Sequence, residues 1–327
     1  MPAWLLRRIL ASLLLVVALA SAVFFVVRLA PGDPLGPLLQ SEDLGAAGRE
    51  LVRARHGLDR PLAVQYLQWL QGLLRGDFGW SIAQQRPVAA ILREALGPTL
   101  LLTVAAYALH LLLAVGTALA MAARRGRPLE HLLRAVGLAF YSLPTFWLGL
   151  LLMMLAGRTL GWLPLGGMGA PDAEFLPAGA RLLDLLRHLA LPVATLALGT
   201  FMGTARYLQA SLDEVLGQDY ITAARARGIG ESTLLRRHAL RNALLPLITL
   251  GGLHLPALLG GAVAVETVFA WPGLGRVTVE ALWARDYPVI MATTVVAAAA
   301  VVAGSLLADL LYQRADPRLR RPGGGPR

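Results

Sequence analysis

The chain has 327 residues, of which 56% are hydrophobic and 15% are charged, and its formal net charge is +10. A soluble domain carries about 25% charged residues, so this composition excludes an ordinary water-soluble protein and indicates a membrane protein. All 30 basic residues are arginine and cysteine is absent. A Walker A loop needs its lysine, and disulfides, thiolate catalysis and cysteine metal sites need cysteine, so none of these is expected here.

Six segments are long and apolar enough to cross a bilayer as helices, which takes about 20 residues each. In chain order they are Ile9–Val27, Ala95–Ala123, Ala135–Gly157, Leu189–Ala205, Asn242–Val265 and Tyr287–Ala308. The fourth is the weakest, and we expect Arg187, His188 and Arg206 at its ends to reach the two membrane surfaces. The sequence therefore predicts an all-α polytopic membrane protein with six transmembrane helices.

The first segment shares features with a secretory signal peptide, because Arg7 and Arg8 precede an apolar run that ends in ALASA. The run is longer than the roughly 7–15 residues typical of such peptides. We therefore interpret it as a retained first span. A mature chain that starts near Ala22 would contradict this interpretation.

Arginine is unevenly distributed among the segments that connect the spans. In membrane proteins the short cytoplasmic loops are enriched in arginine. Both termini of this chain lie on the side with more arginine, so we expect both in the cytoplasm. Most of the positive charge then reflects orientation in the membrane, and no nucleic-acid binding is expected. The arginine-rich side holds Arg7, Arg8, residues 124–134, Arg225, Arg227, Arg236, Arg237, Arg241, Arg314, Arg318, Arg320 and Arg321, against Arg158, Arg181, Arg187, Arg276 and Arg285 opposite.

The long loop from about Leu29 to Arg93 predicts a small helical cap on the outer surface. Leu44–His56 has helical spacing and ends at Gly57. A second helix is expected to begin at Asp59 with Pro61 in its first turn and to end at Gly76. Its predicted apolar face holds Leu62, Tyr66, Leu67, Leu70 and Leu74.

Signals for catalysis are poor, since the chain has no H-E-x-x-H, no G-x-S-x-G and no paired intramembrane aspartates. We therefore expect a non-catalytic protein with no catalytic residues and no metal site. Polar residues within or near spans are functional candidates, because burying a charge in lipid is expensive. His110, His254 and Glu266 are candidates for lining a pathway. Each could instead be a structural residue satisfied by its neighbours, and Glu266 could also be a gate.

The polar stretch Asp219–Asn242 lies between two apolar segments on the predicted cytoplasmic side. Its first part predicts a short helix that begins near Asp219 and ends at Gly228. Small residues such as Ala223 and Ala224 would allow another protein to approach the helix closely. Arg225 and Arg227 could pair with acidic groups of that protein. The alternative is a solvated loop held only by anionic lipid head groups.

The stretch resembles the cytoplasmic EAA loop of binding-protein-dependent ABC importers. Ala223, Ala224 and Gly228 match the pattern of Glu-Ala-Ala, three residues and glycine, while Thr222 stands where glutamate is usual. Many further motifs, in order, resemble the first permease subunit of the dipeptide, oligopeptide, nickel and glutathione branch. They are GDFGWS (76–81), SLPTFWLGLLL (142–152), GWLPLGG (161–167), LRHLALPVATLALG (186–199), LGQDYITAARARG (216–228), RHALRNALLP (237–246), VETVFAWPGLGR (265–276) and ARDYPV (284–289).

The resemblance implies a type I ABC importer permease in the cytoplasmic (inner) membrane of a bacterium or archaeon. It implies partners: a second homologous permease, two ATPase subunits that bind ATP and magnesium, and an extracytoplasmic solute-binding protein. This chain itself would bind no cofactor. The implied coupling residues are Asp219, Tyr220, Ala223, Ala224, Arg225, Arg227 and Gly228, and those implied for binding-protein docking are Trp271, Pro272, Gly273 and Arg276.

The expected organisation follows from the spans and the resemblance. Residues 1–29 form the first transmembrane helix and its cytoplasmic start, and residues 30–94 form the outer helical insertion. Residues 95–312 form a five-helix core that contains the coupling loop at residues 208–242, and residues 313–327 form a cytoplasmic tail. The alternative function is a secondary transporter or channel that acts without ATPase partners. Peptide is the default substrate, with nickel and glutathione left open.

Overall fold

The computed structural model describes residues 3–29, 60–244 and 262–315. Within these residues the regular structure is helical, apart from one isolated antiparallel bridge between Trp80 and Pro87. The predicted all-helical class is therefore confirmed. The principal helices are α1 (Ala3–Leu29), α2 (Leu62–Leu74), α3 (Val88–Ala123), α4 (Pro128–Ser142), α5 (Thr145–Leu152), α6 (Ala178–Leu198), α7 (Phe201–Leu216), α8 (Asp219–Ala226), α9 (Leu274–Ala284) and α10 (Tyr287–Ala315).

Shorter helical segments connect these elements. A π-helix continues α5, and a single 3-10 turn precedes α6. After α8 the chain forms another helical stretch with a π-helical middle, and residues 262–268 are also helical. The bounds of the named short segments are Met153–Thr159, Ala173–Phe175, Glu231–Thr233, Leu234–Ala239 and Leu240–Ala243.

Three helices of the described chain are long and apolar enough to cross a membrane singly, with Leu6–Leu29, Val88–Ala123 and Tyr287–Leu307 as their apolar stretches. Two bent helix pairs also qualify, which makes up to five spans among the described residues. Most of the predicted span Asn242–Val265 lies outside the described residues, as does the predicted helix Leu44–His56.

The predicted third span is broken rather than continuous. α4 ends at Ser142, Leu143 is extended with φ −81° and ψ 137°, and α5 begins at Thr145. The residue before a proline is pushed out of the helical region, so Pro144 stops α4. The resulting pair, Pro128–Ser142 and Thr145–Thr159, is bent by 107°. Hydropathy alone does not show this break, because an average over a span-length window hides Ser142, Pro144 and Thr145 among the many apolar residues on either side.

The predicted fourth span is longer than its apolar core and is also bent. α6 and α7 meet at Gly199 and Thr200 with an angle of 49°. α7 continues to Leu216, so Arg206 lies within a helix and not at the end of a span as expected from hydropathy. Polar residues in α7 had hidden this continuation from a search for apolar segments.

Contacts divide the chain into two compact units, which differ from the predicted domain boundaries. Unit 1 holds the described residues within Met1–Thr99 and Pro272–Val302, and unit 2 holds those within Leu100–Trp271 and Ala303–Arg327. The boundaries predicted at residues 29, 94 and 312 follow the membrane topology, whereas the units follow packing.

In unit 1, α2 packs against α1 through aromatic side chains. The Tyr66 ring lies 5.4 Å from the rings of both Phe24 and Phe25, and Trp69 lies 5.2 Å from Phe24. The Tyr66 hydroxyl also forms a 2.7 Å hydrogen bond with Ser21. Leu67 and Leu74 of the predicted apolar face are exposed. Among the residues of the predicted apolar face, Tyr66 is the one that makes these contacts with α1. Its aromatic ring fills more of the space between the two helices than a leucine side chain does.

The cores of both units are close-packed and apolar. The core of unit 1 includes Val88, Ile91, Ala281, Val289 and Ile290. Unit 2 has three clusters, in which Leu102, Met202, Leu208, Phe269 and Trp271 are nearly or fully buried. Gly137 of α4 faces Met202 of α7 so closely that a Cβ at this position would clash with the methionine side chain. The absence of a side chain at residue 137 thus lets the Met202 side chain lie against the backbone of α4.

Candidate functional site

The predicted cytoplasmic helix is present as α8, Asp219–Ala226. Gln218 is its N-cap in extended conformation, and Asp219 is the first helical residue, where its charge favours the positive end of the helix. Gly228 has φ +82°, and its N–H donates to the Arg225 carbonyl while the Ile229 N–H donates to that of Ala224. This pair of bonds is a Schellman motif, which explains why glycine stands at residue 228.

One face of α8 is buried in unit 2 and the other is open. Ile221 is fully buried and Ala224 is 6% exposed, whereas Thr222 and Ala223 are exposed. The Ala224 methyl is therefore used to pack α8 onto its own chain. Ala224 thus offers little surface for the close approach of another protein that was expected from its small size, whereas Ala223 stays exposed. The contact with another protein stays a prediction.

Two side-chain contacts fix α8 to the segment that follows it. Arg225 pairs with Glu231 through Nε–Oε1 and Nη2–Oε2 distances of 2.5 and 3.2 Å. The Asn242 amide donates a 2.7 Å hydrogen bond to the Tyr220 hydroxyl. The hydrogen bond from Arg225 lowers the pKa of the Glu231 carboxyl, and the same bond raises the pKa of Arg225. Arg225 is thus already paired within the chain, although it was expected to meet an acidic group of a partner.

Arg227 differs from Arg225. The one hydrogen bond described for its side chain is a long one of 3.4 Å from Nε to the Ala223 carbonyl, and no carboxylate in the described part of the chain pairs with it. The exposed surface of α8 therefore presents Arg227 as its available cation, beside Ala223 and Thr222.

His110, a candidate for pathway lining, is fully buried in unit 2. Its Nδ1 lies 2.8 Å from the Thr200 hydroxyl, and its Nε2 lies 3.0 Å from that of Thr204. The Thr200 hydroxyl donates its single proton to the Leu196 carbonyl, so its oxygen must accept from His110. On this basis we assign the ring proton of His110 to Nδ1. His110 joins α3 to the bend between α6 and α7, and this favours the structural alternative over pathway lining.

The second pathway candidate, Glu266, does not lie at an open surface. Glu266 is fully buried, and its carbonyl accepts a 2.8 Å hydrogen bond from the Trp271 N–H. His254 lies outside the described residues. The described part of the chain holds no group of three or more potential metal ligands.

The four residues expected to dock a binding protein fall into two groups. Trp271 is fully buried within unit 2, where it packs in the core, and Gly273 is also buried. The Trp271 side chain therefore offers no exposed surface in the described part of the chain, and docking of a binding protein at this segment stays a prediction. Pro272 is exposed and Arg276 is partly exposed, with its Nε 2.7 Å from Glu280.

Asp286 is a structurally important residue that sequence analysis missed. Its carboxylate, 1% exposed, accepts hydrogen bonds from the Ser81 hydroxyl and from the N–H groups of Ile82 (3.2 Å) and Ala83 (3.0 Å). These bonds join the GDFGWS and ARDYPV motifs, which are about 200 residues apart. Both motifs could be noticed in the sequence, but nothing local indicates that they pair.

A second pairing of motifs lies in unit 2. The Gly167 N–H donates a 2.8 Å hydrogen bond to the Phe269 carbonyl, and a Cβ at Gly166 would lie 2.5 Å from the same oxygen. The GWLPLGG and VETVFAWPGLGR motifs thus meet backbone to backbone. Glycine at residue 166 permits this close approach.

Comparison with known families covers nearly the whole chain. The family described as "Binding-protein-dependent transport system inner membrane component" matches residues 113–321. Its N-terminal counterpart, "Binding-prot-dependent transport system membrane comp, N-term", matches residues 1–103.

Curated relatives match over their full length. The chain is 39% identical to the oligopeptide transport system permease protein AppB of Bacillus subtilis, covering 98% of this chain and 99% of that protein. It is 36% identical to the glutathione transport system permease protein GsiC of Salmonella typhimurium, covering 97% and 98% of the two chains. The inward-facing MetNI methionine ABC transporter has a similar fold, with a TM-score of 0.57 at 18% identity, covering 69% of this chain and 96% of that chain.

Proposed function

Because the chain belongs to the family of binding-protein-dependent transport system inner-membrane components, we propose that it forms half of the translocation pathway of an ATP-driven importer. Its non-catalytic role would be to provide a membrane path, while separate ATPase subunits bind and hydrolyse ATP. A second homologous permease would complete the path, and an extracytoplasmic binding protein would deliver the solute.

The observation that carries this proposal is the geometry of α8. The helix is short, closed by Gly228, and held to the following segment by Tyr220 and Arg225, while Thr222, Ala223 and Arg227 are exposed. A rigid helix of this kind can transmit a force, because it moves together with the segment to which it is bonded. We infer that the exposed side of α8 binds a groove of an ATPase subunit and passes nucleotide-driven movement to the spans.

The proposed solute is a peptide or a related molecule. The relatives named above are an oligopeptide and a glutathione transport permease, and a nickel complex stays open as a further substrate. Six spans, both termini in the cytoplasm and an outer insertion at residues 30–94 complete the proposal. The five candidate spans of the described residues and the arginine distribution support this arrangement.

A charge placed on the exposed side of α8 tests the proposed coupling. We expect Ala223→Asp to lower ATP-dependent uptake about tenfold or more in liposomes that contain the complete importer. A buried, unpaired carboxylate at an interface costs enough free energy to produce such a loss. Uptake of a labelled peptide and ATP hydrolysis are measured together, so that uncoupling is separated from loss of the complex.

Ser232→Asp is the matched control, since it places the same charge on an exposed residue of the segment after α8, outside the proposed contact surface. We expect this variant to retain uptake. Equal uptake by wild type and Ala223→Asp would contradict the docking role of α8. Absence of ATP-driven uptake by the complete wild-type importer with any peptide, nickel complex or glutathione would contradict the function itself.

A further inference from the structure

An open cleft with one charged side chain lies within unit 2 between α4 and α7. Its volume is about 330 Å³, and it is lined by Leu138, Tyr141, Gly203, Arg206 and Tyr207. Small-molecule sites begin at about this size. None of the functional roles described above uses these residues.

The cleft owes its shape to a missing side chain. A Cβ at Gly203 would lie 3.3 Å from Cε2 of the Tyr141 ring and 3.8 Å from its hydroxyl oxygen. The ring of Tyr141 therefore lies against the backbone of α7. The side chains of Tyr141 and Tyr207 remain 52% and 44% exposed, so both aromatic residues offer surface to a ligand.

Arg206 gives the cleft its charge. Its side chain is exposed, and no aspartate or glutamate in the described part of the chain forms an ion pair with it. It lies in a bent helix pair that qualifies as a membrane span. An arginine within a span is expensive in lipid and faces a water-filled cavity or a polar partner instead.

Arg206 lies ten residues before the end of α7 at Leu216. An exposed guanidinium with no carboxylate partner in the described part of the chain is available to an anion from outside the chain. An anionic lipid head group and a carboxylate of a solute are the two sources of such an anion, and the experiment below distinguishes them.

We propose that this cleft binds a carboxylate group of the transported solute during its passage, with Arg206 as the cationic partner. The guanidinium fork matches the two oxygens of a carboxylate, and the Tyr141 and Tyr207 hydroxyls can donate to the same group. The two rings provide apolar surface for the adjoining part of the solute. This assignment rests on the proposed function and narrows its substrates to molecules with a free carboxylate, such as peptides with an unmodified C-terminus.

The absence of cysteine from the chain makes a direct test possible. Leu138→Cys places one thiol in the cleft, in inside-out vesicles that contain the complete importer without binding protein. The measured quantity is the ratio of two modification rates, that of the anionic thiol reagent MTSES divided by that of cationic MTSET. We expect this ratio to be about tenfold higher in Leu138→Cys than in Leu138→Cys combined with Arg206→Gln. Arg187→Gln, which changes an arginine of α6 outside the cleft, is the matched control and should leave the ratio unchanged.

Ligand protection identifies the anion. Millimolar tri-alanine should slow modification of Leu138→Cys, whereas tri-alanine amide, which lacks the carboxylate, should not.

A second experiment uses Tyr207→Phe in uptake assays, since this substitution keeps the ring and removes one hydroxyl. We expect it to raise the KM for tri-alanine roughly threefold to tenfold, as for loss of one hydrogen bond, with the KM for the amide unchanged.

Several results would overturn the proposal. They are no modification of Leu138→Cys by either water-soluble reagent in any nucleotide state, equal protection by acid and amide, and a reagent ratio that Arg206→Gln does not change. A ratio that changes with the content of anionic lipid in the vesicles would show that Arg206 binds lipid head groups. Loss of the second permease from the complex in Arg206→Gln would show that Arg206 lies in the interface between the two permeases. Failure of ATP-driven uptake by wild type would count against the proposed function, while the reagent ratio, measured without ATP, still reports on the cleft.

Discussion

At the scale of single residues, Asp286 combines complete burial with three hydrogen bonds to residues 81–83. We expect Asp286→Ala to lower the free energy of unfolding of unit 1 by about 2–4 kcal/mol, because the Ser81 hydroxyl and two N–H groups lose their acceptor in a buried place. Thermal unfolding of the detergent-solubilised protein measures the loss.

The control for Asp286 is Glu280→Ala, which removes the partner of Arg276 from an exposed pair. Exposed ion pairs contribute about 0–1 kcal/mol, so this variant should unfold nearly as the wild type does. Equal effects of the two substitutions would show that the Asp286 hydrogen bonds add no stability.

Gly228 and Gly230 form a second test at the residue scale. An added Cβ would meet no atom within 4 Å at either residue, but only Gly228 has a positive φ, +82°, whereas Gly230 has φ −63°. Gly228→Ala should therefore destabilise the end of α8 by about 1–2 kcal/mol through backbone strain alone. Hydrogen exchange of the peptide that contains Ile229 should become roughly fivefold to thirtyfold faster.

Gly230→Ala is the matched control and should change this exchange little, since alanine adopts its backbone conformation freely. If both variants exchange alike, the left-handed conformation of residue 228 does not hold the end of α8.

At the scale of elements, we expect the attachment of α8 to the following segment to depend on pH. The folded chain holds the pKa of Glu231 below its ordinary value of 4.5 through the hydrogen bond from Arg225. A lowered pKa means that the pair contributes its full stability above about pH 4.5 and loses it as the pH falls through the lower, folded value. A spin label at Thr222→Cys should become more mobile over that acidic range.

Glu231→Gln provides the control for this pH dependence. The glutamine cannot titrate, so the label should be equally mobile above and below pH 4.5 in this variant. An acid transition of the same size in Glu231→Gln would assign the titration to another group.

The elements also show where local sequence information ends. Apolar length predicted α1, α3 and α10 because helix formation in a membrane depends on a continuous run of residues. The break at Leu143 and Pro144 was recognisable in principle, since the proline removes a donor and restricts its neighbour. At the bend near Gly199 and Thr200, His110 of another helix hydrogen-bonds the hydroxyls of Thr200 and Thr204, a contact that no local pattern contains.

At the scale of the whole molecule, the chain should move no solute by itself. It has no lysine for a Walker A loop, and in the proposed function separate ATPase subunits bind the ATP. We expect liposomes that contain only this permease to show no peptide uptake above empty liposomes, with or without ATP. Addition of the second permease, the ATPase subunits and the binding protein should produce ATP-dependent uptake.

Uptake by this polypeptide alone, driven by an ion gradient and insensitive to ATP, would contradict the importer function. That result would favour the alternative of a secondary transporter or channel. Two controls, empty liposomes and the complete importer without ATP, distinguish ATP-driven uptake and gradient-driven uptake from passive leakage.

The sequence by itself determined the all-helical membrane class, the family, and the start and end of α8. These properties depend on local composition, capping and contiguous motifs, all of which can be read in chain order. Only the tertiary structure decided that Ala224 and Trp271 are buried, that Asp286 accepts from Ser81, and that Arg206 lies in a cleft beside two tyrosines. Burial and pairing of this kind depend on contacts between residues far apart in the chain, which hydropathy and spacing do not record.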